Sequence, residues 1–179
     1  MEVDEKLKPT IENVYLIIQS CSLIKNKDDI RNKFWDMFVV DALLGNSDRH
    51  FDNWGILEQK GEIRFAPIYD CGSVLGALFC DEKMAVLLKD PVAFKNEEFN
   101  VKSCYSLCGK RIFYHEIFKS PPVDLIEAIK RTVPKIKINE IHGIVNETEF
   151  ISDVRKEYLI KALDIRYNKI LLPAFNKSQ

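Results

Sequence analysis

The stretch LLGNSDRHFDNWGI, Leu43 to Ile56, crowds Asp48, Arg49, His50, Asp52 and Asn53 together directly behind an apolar run. That run reads as a helix. Ile30, Phe34, Met37, Phe38, Ala42 and Leu43 recur at three- and four-residue steps, which predicts a helix from Lys27 or Asp28 to Leu44, with Asp28 as its N-cap and Gly45 as its stop. The polar cluster therefore begins where a buried helix ends. Turn chemistry offers one explanation, since Asp and Asn are common in connectors; Arg49 would then pair with Asp48 or Asp52 at the surface, to little effect. The residues beyond the cluster offer another. In NWGILEQKGEIRFAPIYD, the segments WGIL and IRF flank a short turn containing Gly61, the pattern of a β-hairpin. A hairpin brings its outer ends together, here Asn53 and Asp70, with Asp48 a loop's reach away. Two oxygen donors suit a hard cation such as Mg²⁺, and a nearby carboxylate can accept a hydroxyl proton. Phosphoryl transfer from ATP asks for this set.

The strings GNSDRHFDN and APIYDCGS resemble the catalytic and metal-binding loops of the HipA-like serine/threonine kinases. The D-R-H-x-x-N pattern is also similar to the catalytic loop of phosphatidylinositol 3- and 4-kinases and their protein-kinase relatives, while PIYD, Pro67 to Asp70, sits closer to the HipA-like branch. The resemblance implies Asp48 as catalytic base, Asn53 and Asp70 as Mg²⁺ ligands beside ATP, and His50 as a loop-shaping or phosphate-contacting residue. It also implies a fold that is mainly α, a protein-kinase-like C-terminal lobe in which a small β-hairpin carries the two loops, with residues 1–179 as a single domain.

Kinases further need a glycine-rich loop over the phosphates and a strand lysine paired with a glutamate. No glycine precedes Gly45, and the residues before it read as two helices. The expectation is a chain without the N-terminal nucleotide-clamping lobe, and a poor kinase by itself. Its expected partners are Mg²⁺ and ATP, a protein substrate, or that lobe on a separate polypeptide. Two other readings stay open: a non-catalytic helical binding or toxin–antitoxin module that retains the kinase fold, and a lipid kinase of the phosphatidylinositol type.

Composition narrows the field. The chain has 179 residues, 46% hydrophobic and 30% charged, enough for one domain with a core. A net charge of −1 supplies no field for a nucleic-acid backbone, and the basic stretch GKRIF near Lys102 is short and mixed with apolar residues, so it reads as solvated surface. A membrane span would need about 18 consecutive apolar residues, and no such run occurs. The N-terminal MEVDEKLKPT lacks the apolar core of a signal peptide and the five cysteines are odd in number, which predicts a cytoplasmic protein with reduced thiols. Cys104 and Cys108 have no second pair for zinc beyond Cys80 and His115, so they read as small buried thiols. His115 and His142 lack partners at useful spacing and read as structural. Ser73 in DCGSVLG lacks the G-x-S-x-G frame of a hydrolase nucleophile.

Elsewhere the pattern predicts a helix from Thr10 to Leu23, another over Asp124 to Thr132 started by Pro121 and Pro122, and a long final helix from Glu147 to Leu171 stopped by Pro173. One hairpin is expected in all. The segment GALFCDEKMAVLLKD gives no interpretable pattern.

Overall fold

A computed structural model describes residues 7–179; the expectation for the first six residues lies outside that range. At its centre lies helix α2 (Lys27–Leu44), which buries Ile30, Phe34, Trp35, Met37, Phe38, Val39, Asp41, Ala42 and Leu43. Consecutive buried positions mean that the helix is covered on more than one side. Helix α1 (Ile11–Ser20) packs on it with Ile11, Val14 and Ile18, and ends three residues before the predicted Leu23. Thr10 caps α1 as the sequence suggests, its hydroxyl accepting from the Asn13 amide at 3.0 Å. For α2 the cap is Asn26 and not Asp28, because the Asn26 side chain reaches the Asp29 amide at 3.1 Å. Asp28 instead occupies the first turn and pairs with Arg31 at 2.8 Å.

Among the described residues there are two antiparallel hairpins, where one was expected. The first joins β1 (Ile56–Gln59) to β2 (Glu62–Phe65) through Lys60 and Gly61, both at positive φ. That geometry is the two-residue turn that matches strand twist. The second joins β3 (Lys102–Leu107) to β4 (Lys110–Phe113) through Cys108 and Gly109, again both at positive φ. Cysteine is an unusual partner for glycine in such a turn, which hides the signal in the sequence. GKRIF is thus largely a strand, with Ile112 buried, and not solvated surface throughout. Cys108 is exposed at the turn, whereas Cys104 faces the core and burial pushes its thiol up to about 12. The five thiols are free, with Cys71 and Cys80 exposed as well.

The uninterpreted segment forms the end of a loop and helix α3 (Asp81–Lys89), followed by α4 (Pro91–Phe99). Asp90 caps α4 by accepting from the Val92 and Ala93 amides, and Pro91 takes the first helical position. A short helix α5 (Tyr114–Ile117) and α6 (Val123–Thr132) follow, α6 beginning after the two prolines as predicted and lying along α2.

The predicted final helix begins later than expected. Helix α7 (Ile138–Glu147), which the sequence pattern did not disclose, ends at the residue where the final helix was expected to begin, and α8 (Asp153–Arg166) starts from a Ser152 cap. Pro173 does not stop the chain either. A π-turn over Tyr167–Leu171 shifts the backbone bonding by one residue, and α9 (Leu172–Ser178) runs on with Pro173 in its first turn, where a missing N–H is harmless. The main core gathers α1, α2, α6, both hairpins and the last turns. A second cluster of Met84, Leu87, Phe94, Tyr158 and Ala162 joins α3 and α4 to α8.

Candidate active site

Helix α2 ends at Gly45, in the left-handed conformation at φ 71°, and the next residues are tied back to the helix. The Asn46 amide donates to the Asp41 carbonyl at 2.9 Å, and its side-chain Nδ2 to the Asp41 carboxylate, also at 2.9 Å. Asn46 Oδ1 in turn accepts from the Asp48 amide at 3.0 Å. From α5, the Tyr114 hydroxyl donates to the Asn46 carbonyl at 2.7 Å, from a fully buried position. The backbone that presents Asp48 is thereby fixed on both sides.

Arg49 organises the rest of the loop. It is 1% exposed, and its Nε and Nη2 grip the two oxygens of the equally buried Asp41 at 3.0 and 3.1 Å. This corrects the surface-pair reading: Arg49 turns into the core because the buried Asp41 in the last turn of α2 needs an opposite charge beside it. Its Nη1 donates to the Asn53 carbonyl at 2.7 Å, to the Tyr69 carbonyl, and to the Asp70 carbonyl at 3.4 Å, while Nη2 approaches Cys71 Sγ at 3.4 Å. One guanidinium therefore holds the backbone of both predicted metal ligands. Burial pushes the Asp41 carboxyl up and the fork of Arg49 draws it back; burial also works against the Arg49 charge, but the Asp41 carboxylate outweighs it and raises the arginine above its ordinary value.

The hairpin completes the approach. Ile56 pairs with Phe65, and the Ala66 amide extends the ladder to the Gly55 carbonyl at 2.8 Å. Trp54 and Phe65 stack at 5.4 Å, and the Trp54 indole donates to the Tyr105 hydroxyl at 2.7 Å, anchoring an otherwise exposed hairpin. The Tyr69 hydroxyl returns to the Asp52 carbonyl at 3.1 Å.

The four side chains expected from sequence have distinct settings. Asn53 is buried in the short 3₁₀ turn Phe51–Asn53, and its Nδ2 donates to the Asp48 carbonyl at 2.7 Å, which directs Oδ1 away as the end available to a ligand. Asp70 is exposed and takes φ 51°, a left-handed conformation that Asp tolerates better than most residues. Asp48 is half exposed, with His50 Nε2 at 3.8 Å from its carboxylate. His50 Nδ1 accepts from the Asp52 amide at 3.2 Å, so its ring closes the turn, and its Nε2 lies 3.4 Å from Asn53 Nδ2. Among the described residues, no group of three or more His, Cys, Asp or Glu converges as a metal cage. The donor set here is one amide oxygen and one carboxylate, which fits Mg²⁺ completed by phosphates and water.

Sequence reasoning missed Asp41, Asn46, Arg49 in its buried role, Tyr69 and Tyr114. For Asp41 a signal existed, a lone carboxylate inside MFVVDALL. His142, read as lacking a partner, lies 3.2 Å from Asp164, a neighbour 22 positions away that spacing does not disclose.

Residues 1–137 match the HipA-like C-terminal domain family. The chain is 37% identical over 145 residues to the serine/threonine-protein kinase CtkA of Helicobacter pylori, an alignment that covers 77% of this chain and 44% of that protein. It also superposes on the crystal structure of a Helicobacter pylori proinflammatory kinase CtkA with a TM-score of 0.90 at 34% identity, covering 97% of this chain and 66% of the other. The chain thus spans less than half the length of the curated relative and about two thirds of the solved structure. No helix among the described residues is long and apolar enough to cross a membrane. With its loops, its helical lobe and the family match in agreement, the chain belongs to the HipA-like C-terminal domain family.

Proposed function

We propose that these residues form the C-terminal lobe of a serine/threonine kinase, transferring the ATP γ-phosphoryl group to a protein hydroxyl. The observation that carries the reading is the shared anchorage of Asn53 and Asp70 on Arg49 Nη1, at 2.7 and 3.4 Å from their carbonyls. A connector serving only a turn has no need to bring two distant oxygen-bearing residues to one buried cation. A Mg²⁺ ion held by Asn53 and Asp70 would offset the charge of the nucleotide phosphates.

The chain's own residues divide the remaining work. Asn53 Oδ1 and the Asp70 carboxylate hold the metal. Asp48, half exposed beside them, accepts the proton of the acceptor hydroxyl as it attacks phosphorus. His50 shapes the turn between Asp48 and Asn53 by accepting from the Asp52 amide. Clamping of the nucleotide phosphates falls to residues outside these 179, in the same polypeptide or in a separate one, so the chain alone binds Mg·ATP weakly and turns over poorly. The test uses the longest polypeptide that contains these residues, incubated with Mg²⁺ and γ-labelled ATP. Label should appear on protein serine or threonine and vanish with Asp48→Ala. Label in a lipid extract would move the reading to a lipid kinase, and no label from an active-site-intact protein that binds nucleotide would favour a binding module.

A further inference from the structure

Besides Asp41 and Arg49, a second buried charge cluster involves Glu98 of α4 with Tyr158 and Arg166 of α8. Their exposures are 2%, 0% and 3%. The Tyr158 hydroxyl donates to one Glu98 carboxylate oxygen and Arg166 Nη2 pairs with the other, while Arg166 Nε donates to the Glu98 carbonyl at 3.2 Å. Burying such a pair is costly, and hydrophobic residues of similar volume would often serve stability as well. The remaining edge and face of the guanidinium show what else it does.

Arg166 Nη1 donates to the Leu43 carbonyl at 3.4 Å, one of the carbonyls left open where α2 ends. Its flat face lies on Gly45 so closely that a Cβ built there would overlap the guanidinium carbon and both terminal nitrogens. Gly45 is already left-handed, so two independent constraints demand glycine at the point where the loop leaves the helix. From Gly45 the connection is short. Asn46 Oδ1 holds the Asp48 amide at 3.0 Å, and the Asp48 carbonyl holds Asn53 Nδ2 at 2.7 Å. The guanidinium also walls a cavity of about 240 Å³ that touches Ser47 beside Asp48, Ser73 and Leu78 in the segment after Asp70, and Glu97 of α4.

We propose that Arg166, itself fixed by Glu98 and Tyr158, is a positioning residue for the catalytic loop. By seating Gly45 it sets the backbone that presents Asp48 and orients Asn53, and it links α4 and α8 to that loop. The functional consequence rests on the reading of Asp48 and Asn53 given above, whereas the positioning itself does not.

The test is amide hydrogen exchange by NMR on the 179-residue chain, wild type against Arg166→Lys and Glu98→Gln. Lysine keeps the charge but cannot cover Gly45 with a planar fork. The expected result is exchange at the Asn46 and Asp48 amides that is faster by about tenfold or more, with protection retained through the middle of α2 and α8. Acceleration spread equally over those helices would mark Arg166 as merely structural and overturn the proposal, as would unchanged loop exchange. Should Arg166→Lys not fold, Glu98→Gln decides by the same criterion. A Gly45→Ala substitution adds an independent cycle: part of its cost must disappear in the Arg166→Lys background, and strict additivity contradicts the contact. Titration of the longer polypeptide with Mn²⁺ and nucleotide together separates the two claims, because failure to bind there would count against the metal site while leaving the exchange result to decide the positioning role.

Discussion

Arg49 meets Asp41 edge to edge, 3.0 and 3.1 Å across two hydrogen bonds, with both side chains sealed from solvent and eight residues apart in the chain. This pair joins the end of the central helix to the two segments that carry Asn53 and Asp70. Removing one partner leaves a buried charge unmatched. Arg49→Met should therefore lower stability by about 3–5 kcal/mol, whereas Asp41→Leu combined with Arg49→Met should cost less than either single change. Urea denaturation of the three variants checks the order. The double variant would fold, yet lose the tether on the Tyr69 and Asp70 carbonyls.

Asp70 holds a left-handed backbone at φ 51°. Asn enters that region as readily as Asp, so Asp70→Asn should alter stability by no more than about 0.5 kcal/mol while removing the charge a metal needs. Metal-dependent nucleotide binding should then fall to the level seen with EDTA. A β-branched residue behaves differently: Asp70→Val should cost about 1–2 kcal/mol from backbone strain alone. Thermal melts and calorimetry separate the two effects.

Asp48 reaches no closer than 3.8 Å to the His50 ring and is half exposed, so the fold does not depend on its carboxylate. In the longer active polypeptide, Asp48→Ala should reduce turnover by about 10²–10⁴ fold with nucleotide affinity nearly unchanged. Steady-state kinetics beside a nucleotide titration would show the separation. Equal losses in both would remove the distinct role of Asp48.

Acid should loosen the second hairpin before the core. The Cys108 amide donates to Glu12 Oε1 at 2.7 Å, and this bond holds the Glu12 carboxyl below its ordinary value of 4.5. A lowered carboxyl stabilises the fold above the unfolded value and loses that contribution as pH falls through the folded one. Exchange at the Cys108 amide should accordingly rise below about pH 4.5, while amides in the middle of α2 stay protected. No change at Cys108 down to pH 3 would contradict the link.

The sequence made legible whatever local chemistry governs. α2 showed itself through its spacing and its Gly45 stop, and the first hairpin through Gly61. Turn chemistry of a rarer kind, Cys108 before Gly109, concealed the second hairpin. The tail misled for a related reason: Pro173 ordinarily ends a helix, but the π-turn at Tyr167–Leu171 lets it begin a new one. At the site, the residues that resemble family positions were readable from their order. Their supports were less so: Asp41 showed only as a lone carboxylate in an apolar run, while Tyr114, and Arg166 held by Glu98, reach the loop across the core from positions that no local spacing connects to it.

The most direct measurement is a crystal structure of this chain with Mn²⁺ and a nucleotide, the metal located by its anomalous signal. A single strong peak is expected, bound by Asn53 Oδ1 and the Asp70 carboxylate, with phosphate oxygens completing the shell and Asp48 facing the open side. A metal bound elsewhere, or Asn53 and Asp70 side chains turned into hydrogen bonds with the protein while nucleotide is present, would contradict the shared metal site.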